Sequence, residues 1–231
     1  HRNVPVYSVS SIFRPEQVFF KWYGRRYGKV LNCFTHFFVQ NEESKKLLSS
    51  IGIDCVTVSG DTRFDRVLGV KKASKALPIV ESFVGDKRAF VAGSSWLPDE
   101  EIFIKYFNEH KDWKLVIAPH VIDESHLTQI LALLDRKTVR YTQTTPEEAA
   151  EADCLIIDCY GLLSSIYRYG DVSYVGGGFG VGIHNVLEAA VWNIPVIFGP
   201  NNKRFQEAQG LLRAECGFEI QNYSEFEAVM N

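Results

Sequence analysis

Short apolar runs such as KLVIA (114–118), CLIID (154–158) and PVIF (195–198) punctuate this chain, separated by longer stretches with apolar residues at helical spacing. Runs this short, apolar without alternation, suit strands buried on both faces. The opening pattern predicts a buried strand over 4–9 and further strands over 36–40 and 53–58. Between the last two, Asn41 is placed to cap a helix that carries Glu42 and Glu43 in its first turn and ends near Gly52. From residue 88 the alternation resumes, with strands predicted at 89–92, 114–118, 139–141, 154–158, 171–175, 195–198 and 217–220. Helices are expected over 98–110, 123–134, 162–169 and 204–214, with a last one starting at 224. Strands alternating with helices of this length predict an α/β fold, a Rossmann-like parallel sheet with helices on both faces.

Two stretches break the pattern. Residues 60–86 are basic and weakly periodic, which reads as a crossing between domains. The division expected is 1–65 as the end of one Rossmann-like domain, 66–86 as linker, and 87–231 as a second such domain. The other is DVSYVGGGFGVGIHNVLEAAVW (171–192). Gly176, Gly177, Gly178, Gly180 and Gly182 follow a strand and precede NVLEAAVW, which has helical spacing. Strand, glycine loop and helix can seat an anion at the helix tip; the plainer alternative is a tight turn with no ligand. The spacing matches neither G-x-G-x-x-G nor a P-loop.

Composition narrows the function. A formal net charge of -3 gives no global basic footprint for nucleic acid. Five cysteines form no C-x-x-C pair, which suits a reduced, cytoplasmic chain. No apolar run reaches the roughly 18 residues of a membrane span. The chain begins at His1, so a piece of a longer protein is expected, with the final helix cut short. Residues 15–30 mix Lys21, Arg25, Arg26 and Lys29 with Phe19, Phe20, Trp22, Tyr23 and Tyr27. That mixture fits either a helix lying on anionic lipid or a core-packed helix with a basic outer face, and the latter is the expectation.

In an open parallel sheet, ligands sit beyond the carboxyl ends of the strands. Five predicted strand ends carry polar or glycine residues: Gly93-Ser94-Ser95, Pro119-His120, Asp158 to Gly161, the glycine loop, and Gly199-Pro200-Asn201. Each alone is an ordinary turn; together they would form a cleft.

At these residues the chain resembles the Kdo transferases. These enzymes of lipopolysaccharide synthesis move 3-deoxy-D-manno-octulosonic acid (Kdo) from CMP-Kdo to lipid A precursor. GGGFGVGIHNVLEAAVWNIPVIFGP, with the FQEA that follows, is similar to the family's C-terminal domain. GDTRFD (60–65), GSSWLPDEE (93–101), IAPHVIDE (117–124) and IIDCYGLL (156–163) are similar to its other segments, in the family's order.

The resemblance implies a GT-B glycosyltransferase, inverting and metal-independent, with two Rossmann-like domains around a cleft. It implies no cofactor besides the donor CMP-Kdo, lipid A precursor as acceptor, and peripheral contact with the cytoplasmic face of a Gram-negative inner membrane. Carried over residue by residue, CMP contacts fall on Pro119, His120, Tyr160, Gly161, Leu162, Asn185, Val186, Leu187 and Glu188. Glu188 is expected at the ribose hydroxyls or, failing that, in a capping box with Asn185. Ser94 and Ser95 are weaker candidates for phosphate or the Kdo carboxylate.

Two positions depart from the family. His120 stands where it usually has Arg, which removes a permanent charge and its fork of donors. Leu162 stands where it commonly has Glu. The family's general base, a Glu early in the N-terminal domain, has no match, so this chain alone is expected not to catalyse transfer. The alternatives are another GT-B enzyme, such as a UDP-sugar transferase or UDP-N-acetylglucosamine 2-epimerase, and a non-catalytic binding module.

Overall fold

The computed structural model describes residues 4–231, apart from the Arg25 side chain. The chain divides into two compact units, His1–Arg66 and Val67–Asn231.

The first unit holds a parallel sheet ordered β1 (Tyr7–Ser11), β2 (His36–Val39), β3 (Val56–Val58). Phe37, Val39 and Val56 face a core shared with Phe13, Leu31, Leu48 and Ile53. The first strand starts later than its apolar pattern suggests, and Val4, Val6, Tyr7 and Val9 are exposed. It pairs on one side only, as the outer strand of the sheet, which corrects the expectation of a buried strand. Residues 18–33 form short 3-10 turns around α1 (Arg25–Gly28), not a continuous helix. At Gly24 the backbone runs against the Val18 carbonyl and leaves no room for a Cβ. Phe19 and Phe20 pack on the core, while Trp22, Tyr23, Tyr27 and Val30 stay exposed. The core-packed helix expected here is therefore not formed. The next helix, α2 (Glu42–Ser49), forms as its sequence predicts: the Asn41 side chain accepts from the Ser44 N–H at 2.8 Å.

A long helix, α3 (Thr62–Lys72), leads to α4 (Pro78–Val84). Together they occupy most of the stretch expected as linker. Pro78 starts α4 at its first turn, and Val80 and Phe83 lie fully buried in the core of the second unit. The helix is too short to show a period, and only its packing reveals it.

The second unit is a seven-stranded parallel sheet. Its strands in chain order are β4 (Ala89–Ser95), β5 (Lys114–Pro119), β6 (Thr138–Arg140), β7 (Cys154–Ile156), β8 (Val172–Val175), β9 (Val196–Phe198) and β10 (Gly217–Glu219). Their spatial order is β10-β9-β8-β4-β5-β7-β6. Alternate residues feed two cores. Val91, Val116, Leu155, Val175 and Phe198 join Phe83, Ile166, Tyr167 and Ala189 on one face. Phe90, Leu115, Ile117, Ile156 and Tyr174 join residues of α5 (Leu97–Glu109), α6 (Glu124–Leu133) and α11 (Tyr223–Met230) on the other. Both faces are thus covered, as the unbroken apolar strands require. The polar stretch after β6 also folds: Thr145 and Glu148 make a capping box for α7 (Pro146–Ala150).

After β4 the chain moves toward β5; after β8 it moves the other way, to β9. The direction of winding therefore reverses between β4 and β8, and a crevice for ligand opens at such a switch point.

Candidate functional site

The switch point is built from β4 running into α5 and from β8 running into the glycine loop. Gly176 donates to the Gly93 carbonyl at 2.9 Å, and a Cβ on Gly176 would overlap the Ser94 carbonyl oxygen. A Cβ on Gly93 would overlap the Tyr167 hydroxyl. On the far side, a Cβ on Gly178 would come within 2.6 Å of the Gly199 Cα. Three glycines of the motif region thus let chain segments touch each other. The positive φ of Gly177 (+93°) and Gly182 (+144°) bends the loop.

One carboxylate joins the two sides. Asp99, in the first turn of α5, is buried; its Oδ1 accepts from the Tyr174 hydroxyl at 2.8 Å. Its Oδ2 accepts from the N–H groups of Trp96 (2.9 Å) and Gly177 (3.0 Å). Burial pushes its carboxyl above the usual range, against the pull of these donors.

Above it lie three rings. Trp96 stacks on His120 at 4.7 Å and His120 on His184 at 4.3 Å. The Trp96 Nε1–H donates to His184 Nε2 at 3.2 Å, so that nitrogen is unprotonated here. Burial first, then the neighbouring His120, holds the His184 imidazole below its ordinary value. Trp96, Pro98, Phe179 and Val181 line an adjoining cavity of about 240 Å³.

The expected site residues divide into two groups. His120 is exposed at the end of β5, directly after the buried Pro119. Glu188 is half-buried just after the glycine loop; burial first, then the Glu188 charge, raises the Tyr167 hydroxyl, whose oxygen fills the space a Cβ on Gly93 would take. Asn185 donates to Glu188 Oε1 at 3.0 Å and accepts from the Leu187 N–H at 3.2 Å. Tyr160 and Gly161 are exposed beyond β7, and Leu163 closes the gap to Gly93.

The remaining side chains point elsewhere. Val186 and Leu187 are buried, and Leu162 packs at the core margin. Ser95 is buried and donates to Glu100 Oε1 at 2.8 Å, an oxygen that also lies 3.1 Å from His126 Nε2. Ser94 is half-buried with φ +52°.

The helix expected to open at Asn185 needs correction. Only α9 (Leu187–Ala190) is α-helical, because Asn193 turns left-handed at φ +60° ahead of Pro195. One turn carries little macrodipole, and the Leu187 N–H is already taken by Asn185. A phosphate seat cannot rest on that tip. Sequence reasoning also missed Asp99 and the stacking of Trp96 with two histidines distant in sequence. Among the described residues, no three His, Cys, Asp or Glu side chains are grouped to hold a metal ion.

A doubly wound sheet with a glycine loop at its switch point, preceded by a smaller parallel-sheet unit, has the architecture of the GT-B glycosyltransferases. It resembles the C-terminal CMP-Kdo binding domain of WaaA from Acinetobacter baumannii, with a TM-score of 0.57 and 18% identity over 72% of this chain and 86% of that one. It also resembles a putative UDP-N-acetylglucosamine 2-epimerase from Listeria monocytogenes, with a TM-score of 0.65 and 15% identity over 97% of this chain and 58% of that one.

Residues 1–66 match the family model "3-Deoxy-D-manno-octulosonic-acid transferase (kdotransferase)". The chain is 28% identical over 199 residues to the 3-deoxy-D-manno-octulosonic acid transferase of Aquifex aeolicus, covering 83% of this chain and 52% of that protein. It is 28% identical over 211 residues to a bifunctional glycosyltransferase/methyltransferase of Fusobacterium nucleatum, covering 85% of this chain and 32% of that protein. The chain therefore spans about half or less of the relatives it matches.

Proposed function

We propose that this chain forms the donor-binding part of a glycosyltransferase that moves Kdo from CMP-Kdo to a lipid A precursor. The observation that carries the reading is the place of Glu188. The residue that the family resemblance assigns to ribose follows the glycine loop of the switch point, half-buried and hydrogen-bonded by the Asn185 side chain, which supports this role. In this reading the Glu188 carboxylate accepts from ribose hydroxyls, with Asn185 holding it in place. His120 offers its imidazole to the phosphate or the base from the end of β5. Pro119, Gly161, Leu162, Val186 and Leu187 contribute backbone, Tyr160 its ring, and Ser94 its hydroxyl. Ser95 takes part only if it leaves Glu100.

In the reaction, a base removes the proton of an acceptor hydroxyl, whose oxygen attacks the anomeric carbon of Kdo from the side opposite CMP. The C–O bond to CMP breaks and its phosphate takes the charge, steadied by the donors around it. The second unit is the donor side and the first the acceptor side. The exposed Trp22, Tyr23 and Tyr27 beside Lys21, Arg26 and Lys29 suit contact with the cytoplasmic face of an inner membrane.

Calorimetric titration with CMP, UMP and UDP tests the donor seat without requiring turnover. CMP is expected to bind most tightly, and Glu188→Gln to weaken it about tenfold or more, as loss of a charged hydrogen-bond acceptor does. Preference for UDP would overturn the reading in favour of an epimerase-like or UDP-sugar enzyme, which the likeness to the Listeria structure makes the specific alternative.

A further inference from the structure

The glycine loop supplies no charged side chain of its own, yet it is fixed at both feet from one place. At its start, Gly177 donates to Asp99 Oδ2; at its end, His184 accepts from Trp96 Nε1 and donates its own N–H to the Gly176 carbonyl at 3.0 Å. Both holding residues belong to the turn that leads from β4 into α5. Between the feet the loop folds on itself, Gly180 and Gly182 donating to the Gly177 carbonyl at 3.0 and 3.2 Å, and Asn201 donates to the Gly178 and Gly180 carbonyls at 2.9 and 2.8 Å. Val181 at its tip is fully exposed, and Gly177, Phe179, Gly180 and Val181 line the cavity of about 240 Å³.

Asp99 is a costly choice for a merely structural residue. A buried carboxylate must recover its lost hydration from hydrogen bonds, and an apolar side chain would fill the same space without that cost. What the carboxylate adds is three donors drawn to fixed positions at once: the start of α5, the hydroxyl of Tyr174 on β8, and the first bend of the loop.

The geometry points to Asp99 as a positioning residue that sets the width of the donor crevice by anchoring the glycine loop to the turn after β4. It acts through Gly177, whose N–H it holds at 3.0 Å. Its link to nucleotide binding rests on the donor-site reading above; its link to loop order does not.

The test uses the whole chain and two readouts. Hydrogen exchange at Gly177, Gly180 and Gly182 reports loop order without ligand, and calorimetry with CMP reports the crevice. In Asp99→Ala the loop amides are expected to exchange at least about tenfold faster while those of β5 and β7 keep their protection, and CMP affinity falls about tenfold. Asp99→Asn keeps one acceptor and a polar partner for Tyr174, so it restores both readouts to within about threefold of the parent chain. Val116→Ala, a core change of similar stability loss, leaves both in place. Should Asp99→Ala not fold, Asp99→Ser, too short to reach the loop, carries the same expectation. Unchanged loop exchange, equal acceleration across the sheet, or the same effect from Val116→Ala overturns the proposal. If the parent chain does not bind CMP, the donor-site reading fails while the exchange data still decide the anchor.

Discussion

Single residues in this protein differ in consequence according to what stands opposite them. Gly176 and Gly180 look alike in the sequence, four positions apart in one loop. A Cβ on Gly176 meets the Ser94 backbone, whereas on Gly180 its nearest neighbour is the Gly177 carbonyl oxygen at 3.6 Å. Gly176→Ala should therefore cost about 1–3 kcal/mol, and Gly180→Ala no more than about 0.5 kcal/mol, measured by denaturant unfolding. Equal effects would contradict the chain-to-chain packing described. His184 gives a pH prediction. Its folded pKa lies below the ordinary value, so on acidification the unfolded chain takes the proton first. The stability it contributes is present above about pH 6.5 and is lost as pH falls through the folded value, when protonated Nε2 can no longer accept from Trp96. Asp99 and Glu100, raised by burial, act in the opposite sense, favouring the fold as they gain protons. The difference in melting temperature between the parent chain and His184→Gln isolates the histidine: it should narrow with acidification below that value, and a constant difference would refute the assignment.

At the scale of elements, α2, with its local cap, was legible and α4, held by packing, was not. Asn41 with its two glutamates announced α2, and the apolar runs of β5, β7 and β9 announced a two-sided sheet. α4 escaped because seven residues hold barely two turns, and its claim to be structure rests on where Val80 and Phe83 go. Phe83→Ala should cost about 3–5 kcal/mol. A chain starting at residue 87, the expected domain boundary, should lose cooperative unfolding, while one starting at 75 keeps it. Two-state melting of the shorter form would restore residues 66–86 to the role of linker. The same limit explains α9. NVLEAAVW has helical spacing, but Asn193 and Pro195 stop it after one turn, and a moment read from spacing carries no information on length.

Across the whole molecule, the exposed aromatics of residues 18–30 give a prediction about surfaces. Trp22 is 86% exposed, and Arg26 and Lys29 are exposed beside it. Flotation with vesicles containing anionic lipid should recover the chain, with binding that weakens as salt rises. Replacing Lys21 and Lys29 by Ala should cost about 1 kcal/mol each, roughly thirtyfold in combination. Equal binding to neutral vesicles would remove the electrostatic part of that reading. The sequence by itself determined the α/β class, the order of the strands in the second unit, the first turn of α2, and the five strand ends that carry polar or glycine residues. These follow from local spacing and from the chemistry of single residues, which a linear pattern records. The tertiary structure alone decided that β4 and β8 lie side by side, that Asp99 faces the glycine loop, and that Trp96, His120 and His184 share one stack. Such contacts join residues far apart in the chain, and only the burial of two apolar faces on one sheet brings them together.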